Sequence, residues 1–147
     1  MKVTSVRYGF ATNSSSSHSV IHGGPEWASM TNEEIADKYN PMEGNLEFGW
    51  EFDEYDDFNS IVTYAILAHV NLNFYTDYYQ KLDRTQFEFN VLSLGFSETL
   101  TRMILDNAKI FMDDAYVDHQ SFIGGTEEDV WTFIRSVIEV HTGNDNV

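Results

Sequence analysis

The chain has 147 residues, 42% of them hydrophobic and 15% aromatic, with 8 Lys plus Arg against 24 Asp plus Glu, a formal charge of −16 and no cysteine. That length fits one domain, residues 1–147, able to bury roughly two-thirds of the surface its unfolded chain exposes. Lack of cysteine excludes disulfides, thiolate zinc sites, iron–sulfur clusters and a cysteine nucleophile, and the charge argues against direct nucleic-acid binding, which attracts basic surfaces.

No stretch approaches the roughly 20 apolar residues of a membrane span. Behind Lys2 and Arg7 there is no apolar leader core. An intracellular or within-particle location is therefore expected, neither secreted nor membrane-embedded. The charge is unevenly spread. Residues 1–25 hold Lys2 and Arg7 and no acid, 26–57 hold 11 acids against Lys38, and 113–129 hold six acids and no base.

Val3, Val6, Tyr8 and Phe10 suggest a first strand. After the polar run Thr12-Asn13-Ser14-Ser15-Ser16-Ser17, a short strand Ser17 to His22 ends at Gly23-Gly24-Pro25. Thr31-x-x-Glu34 is a capping box that opens a short helix to Tyr39, which Asn40-Pro41 stops. Over residues 45–53, Leu46, Phe48, Trp50 and Phe52 alternate with Glu47, Gly49, Glu51 and Asp53, which predicts a strand with one apolar and one acidic face. From about Asp56 a helix presents Phe58, Ile61, Val62, Ala65, His69 and Leu72 on one side.

A second short helix is expected over Tyr75 to Leu82. The alternation of Phe87, Phe89 and Val91 predicts a strand. Ser97 caps a helix to about Lys109, with Leu100, Met103, Ile104 and Phe111 inward. Tyr116 to His119 reads as a strand end, and Gly124-Gly125 as a break. Thr126-x-x-Asp129 opens a helix whose acidic first turn suits the helix dipole. Val130, Phe133, Ile134, Val137, Ile138 and His141 form its apolar face, and Gly143 ends it. Strands and helices mix without strict alternation. The expected fold is α+β, a small mixed, mainly antiparallel sheet on three or four helices, with residues 1–25 integrated into it.

The segment Tyr8-Gly9-Phe10-Ala11-Thr12-Asn13-Ser14-Ser15-Ser16-Ser17-His18-Ser19-Val20-Ile21 resembles the N-terminal F-A/V-S/T-N-S-S-S-S signature of a loose group of bacteriophage and bacterial proteins of unknown function. Tyr116-Val117-Asp118-His119-Gln120-Ser121 is similar to a second segment of such proteins. The resemblance implies a phage-linked source and no particular activity. Physically, the hydroxyls of the tract can bond the local backbone, a partner or an anion. The run has no glycine and no Lys-Ser/Thr ending, so it is not a P-loop.

His69 and His141 read as packed histidines on helix faces. His18 and His22 point the same way on a strand but lie about 13 Å apart, too far to share a metal. Metal candidates are His18, His22, Asp118 and His119, whose ligand types suit zinc or manganese; the catalytic candidates are Asp118, His119, Ser16 and Ser17. Candidate binding residues are Asn13, Ser14, Ser15, Ser16, Ser17 and His18, and the acidic Glu47, Glu51, Asp53 and Glu54. The cluster that Asp56 and Asp57 complete lacks calcium-loop spacing and reads first as a solvated acidic face.

No catalytic constellation stands out. The leading expectation is a phage-type accessory protein, without catalysis or cofactor, whose partner is a virion component or a basic host protein; an oligomer is compatible with it. The alternatives are a small metal- or anion-binding enzyme that joins the serine tract to Asp118 and His119, and an acidic DNA mimic presenting one stripe from residues 43–57 and 113–129.

Overall fold

The computed structural model describes residues 4–8 (backbone), 18–49, 51–72, 81–117 and 122–143. Asn13 to Ser17, Trp50, residues 75–80 of the expected second helix, Asp118 and His119 lie outside the described residues. The α+β expectation holds. Strands β1 (Thr4–Tyr8), β2 (His18–His22), β4 (Asp53–Tyr55) and β6 (Val137–Thr142) form an antiparallel sheet in the order β1-β2-β6-β4. A second sheet is the parallel pair β3 (Glu47–Phe48) and β5 (Tyr116–Val117). The described helices are α1 (Asn32–Lys38), α2 (Phe58–His69), α3 (Arg84–Ser93), α4 (Glu98–Leu105), α5 (Ala108–Asp113) and α6 (Glu127–Ser136).

Local signals place most helix starts. The Thr31 and Thr126 hydroxyls accept from the amides of Glu34 and Asp129, and the carboxylates of those residues accept in return from the cap amides. Asp57 caps α2 and Ser97 caps α4. Each cap satisfies an amide that the helix itself leaves unpaired, for about 1 kcal/mol.

Helix α2 is the centre of the molecule. Beyond the expected face, Thr63, Tyr64, Ile66, Leu67 and Ala68 are buried as well. A helix apolar on all sides must be surrounded, and α2 contacts α6, β5, β6 and the short 3-10 turn Pro41–Glu43. Its buried hydroxyls are satisfied: Thr63 pairs with the Tyr39 hydroxyl at 2.6 Å, and Ser60 Oγ donates to Asp57 at 2.8 Å while accepting from the Asn45 amide at 2.7 Å. Gly44 lies against the N-terminus of α2, where an added Cβ would stand 2.7 Å from the Ser60 nitrogen.

Val20, Tyr55 and Val140 are cross-strand neighbours on the sheet face turned to α2. Phe48 meets Tyr55 and Tyr64 edge to face at 5.3 and 5.2 Å, Tyr64 meets Phe133 at 5.7 Å, and Phe133 meets the His69 ring at 5.2 Å. This aromatic chain joins both sheets to α2 and α6.

Five expectations change. The strand predicted over 45–53 is two strands in different sheets, because β3 pairs with β5 while β4 pairs with β6. Phe48 is fully buried but Phe52 is 68% exposed, so the alternating face does not exist as one surface. Residues 84–93 are a helix, not a strand: Phe87 and Val91 point inward four residues apart, while Phe89 and Leu92 point outward. Apolar residues on both sides imitate a two-residue period. Lys81 and Leu82 are not helical.

The helix expected from Ser97 to Lys109 is α4 and α5, separated at Asp106-Asn107. The Asn107 side chain donates to the Met103 carbonyl at 2.8 Å, a local bond that competes with the helix ladder. Finally, α6 ends at Ser136 and the chain passes directly into β6. The Ile134 carbonyl accepts from the buried Trp27 indole at 2.7 Å, and the Ser136 carbonyl accepts from the Gly23 amide at 2.7 Å. Those acceptors are thereby withdrawn from a continuing helix. His141 thus sits on a strand and not on a helix face.

Candidate functional site

The central strand β6 carries the chemistry the sequence reading missed. Residues two apart on a strand share a face, so Glu139 and His141 project together. The register sets Glu54 of β4 directly opposite His141. One ligand atom from each of Glu54, Glu139 and His141 lies within 4.8 Å of the others. This face is the one turned away from Val20 and Val140. Glu54 is exposed, and Glu139 and His141 are half-buried.

His141 Nε2 stands 3.1 Å from Glu139 Oε1. The approach lies off hydrogen-bonding geometry, and Nε2 is shut off from solvent without a hydrogen-bond partner. Among the described residues no Lys or Arg pairs with Glu54 or Glu139. The sequence did carry a signal for the strand, though not for the cluster: Val137-Ile138-Glu139-Val140-His141-Thr142 is dense in β-branched residues, which favour a pleated strand.

The other histidines have different settings. His18 is fully buried in the core, with Nε2 3.3 Å from the Gly49 carbonyl and Nδ1 3.3 Å from the Tyr64 hydroxyl. A carbonyl only accepts, so Nε2 is the donor in the bond to Gly49. His69 Nδ1 donates to the Ala65 carbonyl at 2.8 Å. Burial lowers the His69 pKa below 6.5, against the opposing effects of the Ala65 carbonyl and the Asp129 charge. The ring borders a 290 Å³ pocket that also takes His22, Asp129, Thr132 and Ser136. His18 and His22 therefore do not meet: one is in the core and the other lines this pocket.

The expected acidic binding residues are dispersed. Glu47 is on β3, whereas Asp53 and Glu54 are on β4 in the other sheet. Asp53 accepts from the Tyr55 hydroxyl at 3.1 Å, and the Glu51 carbonyl accepts from Thr142 Oγ1 at 2.7 Å. Several other carboxylates serve the local architecture. Burial pushes the Glu127 carboxyl up, but hydrogen bonds from the Ser97 amide and hydroxyl and the Trp131 indole bring it below the ordinary range. Bonds from the Thr126 amide and hydroxyl lower Asp129, and a hydrogen bond from Lys81 lowers Asp113.

Asp118 and His119, like the serine tract, lie outside the described residues. Their described neighbours Val117 and Phe122 line a largely apolar cavity of 610 Å³ between the end of α2 and the α5–β5 segment.

Large apolar side chains also reach solvent. On α3, Phe89 is 70% and Leu92 61% exposed, three residues apart on one face, and Leu94 at the helix end is exposed too. Among the described residues no helix is long and apolar enough to cross a membrane. Comparisons with family models, curated proteins and solved structures gave no match.

Proposed function

We propose that the chain is a phage-type accessory protein that works by protein–protein contact, with the outward face of α3 as its contact surface. The observation that carries this reading is the exposure of Phe89 and Leu92 on a helix whose opposite side, Phe87 and Val91, is already packed into the core. A helix needs one apolar face to fold onto its domain. A second apolar face adds nothing to that packing, and clustered exposed apolar side chains mark contact sites.

The charge around this face favours an apolar partner surface over a strongly basic one. Residues 81–117 place Lys81, Arg84, Arg102 and Lys109 among Asp83, Glu88, Glu98, Asp106, Asp113 and Asp114, so this region is close to balanced within a chain of −16. Arg84 donates to Glu88 at 2.7 Å and Lys81 pairs with Asp113, which leaves little net charge beside the patch. The acidic remainder keeps copies of the chain apart everywhere else. The phage-linked part of the proposal rests on the resemblance of the N-terminal tract, and it assigns the work to the virion or the host cytoplasm.

The test is capture of partners from phage-infected cells and from purified virions by the tagged chain and by its F89S/L92S variant, followed by mass spectrometry. The expected result is one partner retained by the parent at high salt and lost from the variant. Retention by both chains refutes the α3 surface. Sedimentation of the purified protein at rising concentration distinguishes a second copy as the partner, which would appear as a dimer absent from the variant.

A further inference from the structure

We propose that Glu54, Glu139 and His141 form a binding site for a divalent transition-metal ion of the zinc class. This is independent of the α3 surface. The site lies on the outer face of the four-stranded sheet, where β6 supplies two donors and β4 the third.

Three observations converge. First, one ligand atom from each side chain already lies within 4.8 Å of the others. In a tetrahedral zinc site with bonds of 2.0–2.2 Å, ligand atoms stand about 3.4 Å apart. Small side-chain rotations close that gap, and Glu54, exposed on an edge strand, is free to make the largest one. Second, His141 Nε2 is hidden from water and forms no hydrogen bond, although a carboxylate oxygen lies 3.1 Å away. A ring nitrogen without a hydrogen bond is costly unless its lone pair has another use. A metal ion placed between Nε2 and the carboxylates supplies that use.

Third, two carboxylates are held close together without a Lys or Arg partner among the described residues. Like charges at this range repel. Glu51 and Asp53 nearby in sequence add to the negative potential, which attracts a cation. The donor set selects the ion. Carboxylate alone would suit calcium or magnesium, but an imidazole nitrogen shifts the preference toward zinc or manganese. Three protein ligands leave the fourth position of a tetrahedral site for a water or an outside ligand.

The support is rigid where it matters. β6 is paired on both sides, by β2 through Ser19↔His141 and Ile21↔Glu139 and by β4 through Glu54↔His141. The backbones of all three ligands are thereby fixed by the sheet.

The experiment is equilibrium dialysis of the full chain, freed of metal with a chelator, against zinc chloride and separately against manganese and magnesium chloride. Thermal denaturation with and without zinc accompanies it. The expected result is one equivalent of zinc bound at micromolar free metal, with a raised unfolding midpoint and no comparable effect of magnesium. H141A and E54Q each weaken zinc binding about a hundredfold or more, since loss of an outer-shell partner alone costs 10–100-fold. Glu54 is exposed, so E54Q retains the fold, as far-UV circular dichroism will verify. No zinc retained by the parent chain overturns the proposal. Zinc retained equally by the parent, H141A and E54Q also overturns it, because the metal then lies elsewhere.

Discussion

Phe48 and Phe52 stand four residues apart and share one face of the strand the alternation predicts, yet the structure buries one completely and leaves the other 68% exposed. Replacing each by alanine separates the two readings. At Phe48 the change removes roughly 120 Å² of buried apolar surface, which at about 25 cal/mol per Å² costs about 3 kcal/mol. The edge-to-face contacts with Tyr55 and Tyr64 add about 1 kcal/mol. The total of about 4 kcal/mol lies within the range measured for buried aromatic truncations. For a chain of this length it lowers the melting temperature by roughly 8–16 °C. At Phe52 the same substitution costs under about 0.5 kcal/mol. Urea unfolding followed by tryptophan fluorescence reads both: with a slope of about 2 kcal/mol per molar, the F48A midpoint falls by about 2 M. Equal losses at the two positions would refute the split of residues 47–55 between two sheets.

Further outcomes follow from particular groups. Asp83→Ala removes the oxygen that accepts from the Gln86 amide at 2.8 Å and costs about 1 kcal/mol by chemical denaturation if residues 84–93 are a helix; a strand there predicts no change. Gly44→Ala forces a methyl against the Ser60 backbone and costs about 1–3 kcal/mol, whereas Gly24→Ala, with open space around it, is nearly neutral in the same assay. His69 has a pKa held below 6.5 in the folded state. The unfolded chain therefore binds a proton first as pH falls, and stability is full above pH 6.5 and declines below it. A stability–pH curve for His69→Asn flattens in that window. The lowered carboxyls of Asp113, Glu127 and Asp129 act at lower pH, where the stability they contribute above the unfolded carboxylate range is lost as pH falls through their folded values. A decline between pH 6.5 and 5 that is identical in His69→Asn would assign the effect to other groups.

Some of this protein is fixed within a few residues of chain. Thr31 with Glu34, Ser97, and Thr126 with Asp129 start helices through bonds between neighbours, so local chemistry announces them. The same chemistry was legible at Asp83 and Gln86, where a capping box outweighs the misleading alternation of Phe87, Phe89 and Val91. The order of the elements also settled the α+β class, because strands and helices recur without the regular alternation of a parallel sheet.

Tertiary structure decided the rest. The α6 periodicity runs on into Val137, Ile138 and His141, and what stops the helix is remote: the Trp27 indole and the Gly23 amide take the carbonyls of Ile134 and Ser136. Arg135 is held at the same junction, its Nε donating to the Met30 carbonyl at 3.0 Å. Only after that switch do Glu139 and His141 share a face, and only the pairing of β4 with β6 brings Glu54 to them. Three residues separated by up to 87 positions cannot announce a common site through local pattern. Their proximity comes from a register, and a register is set by which faces of distant strands must be buried together.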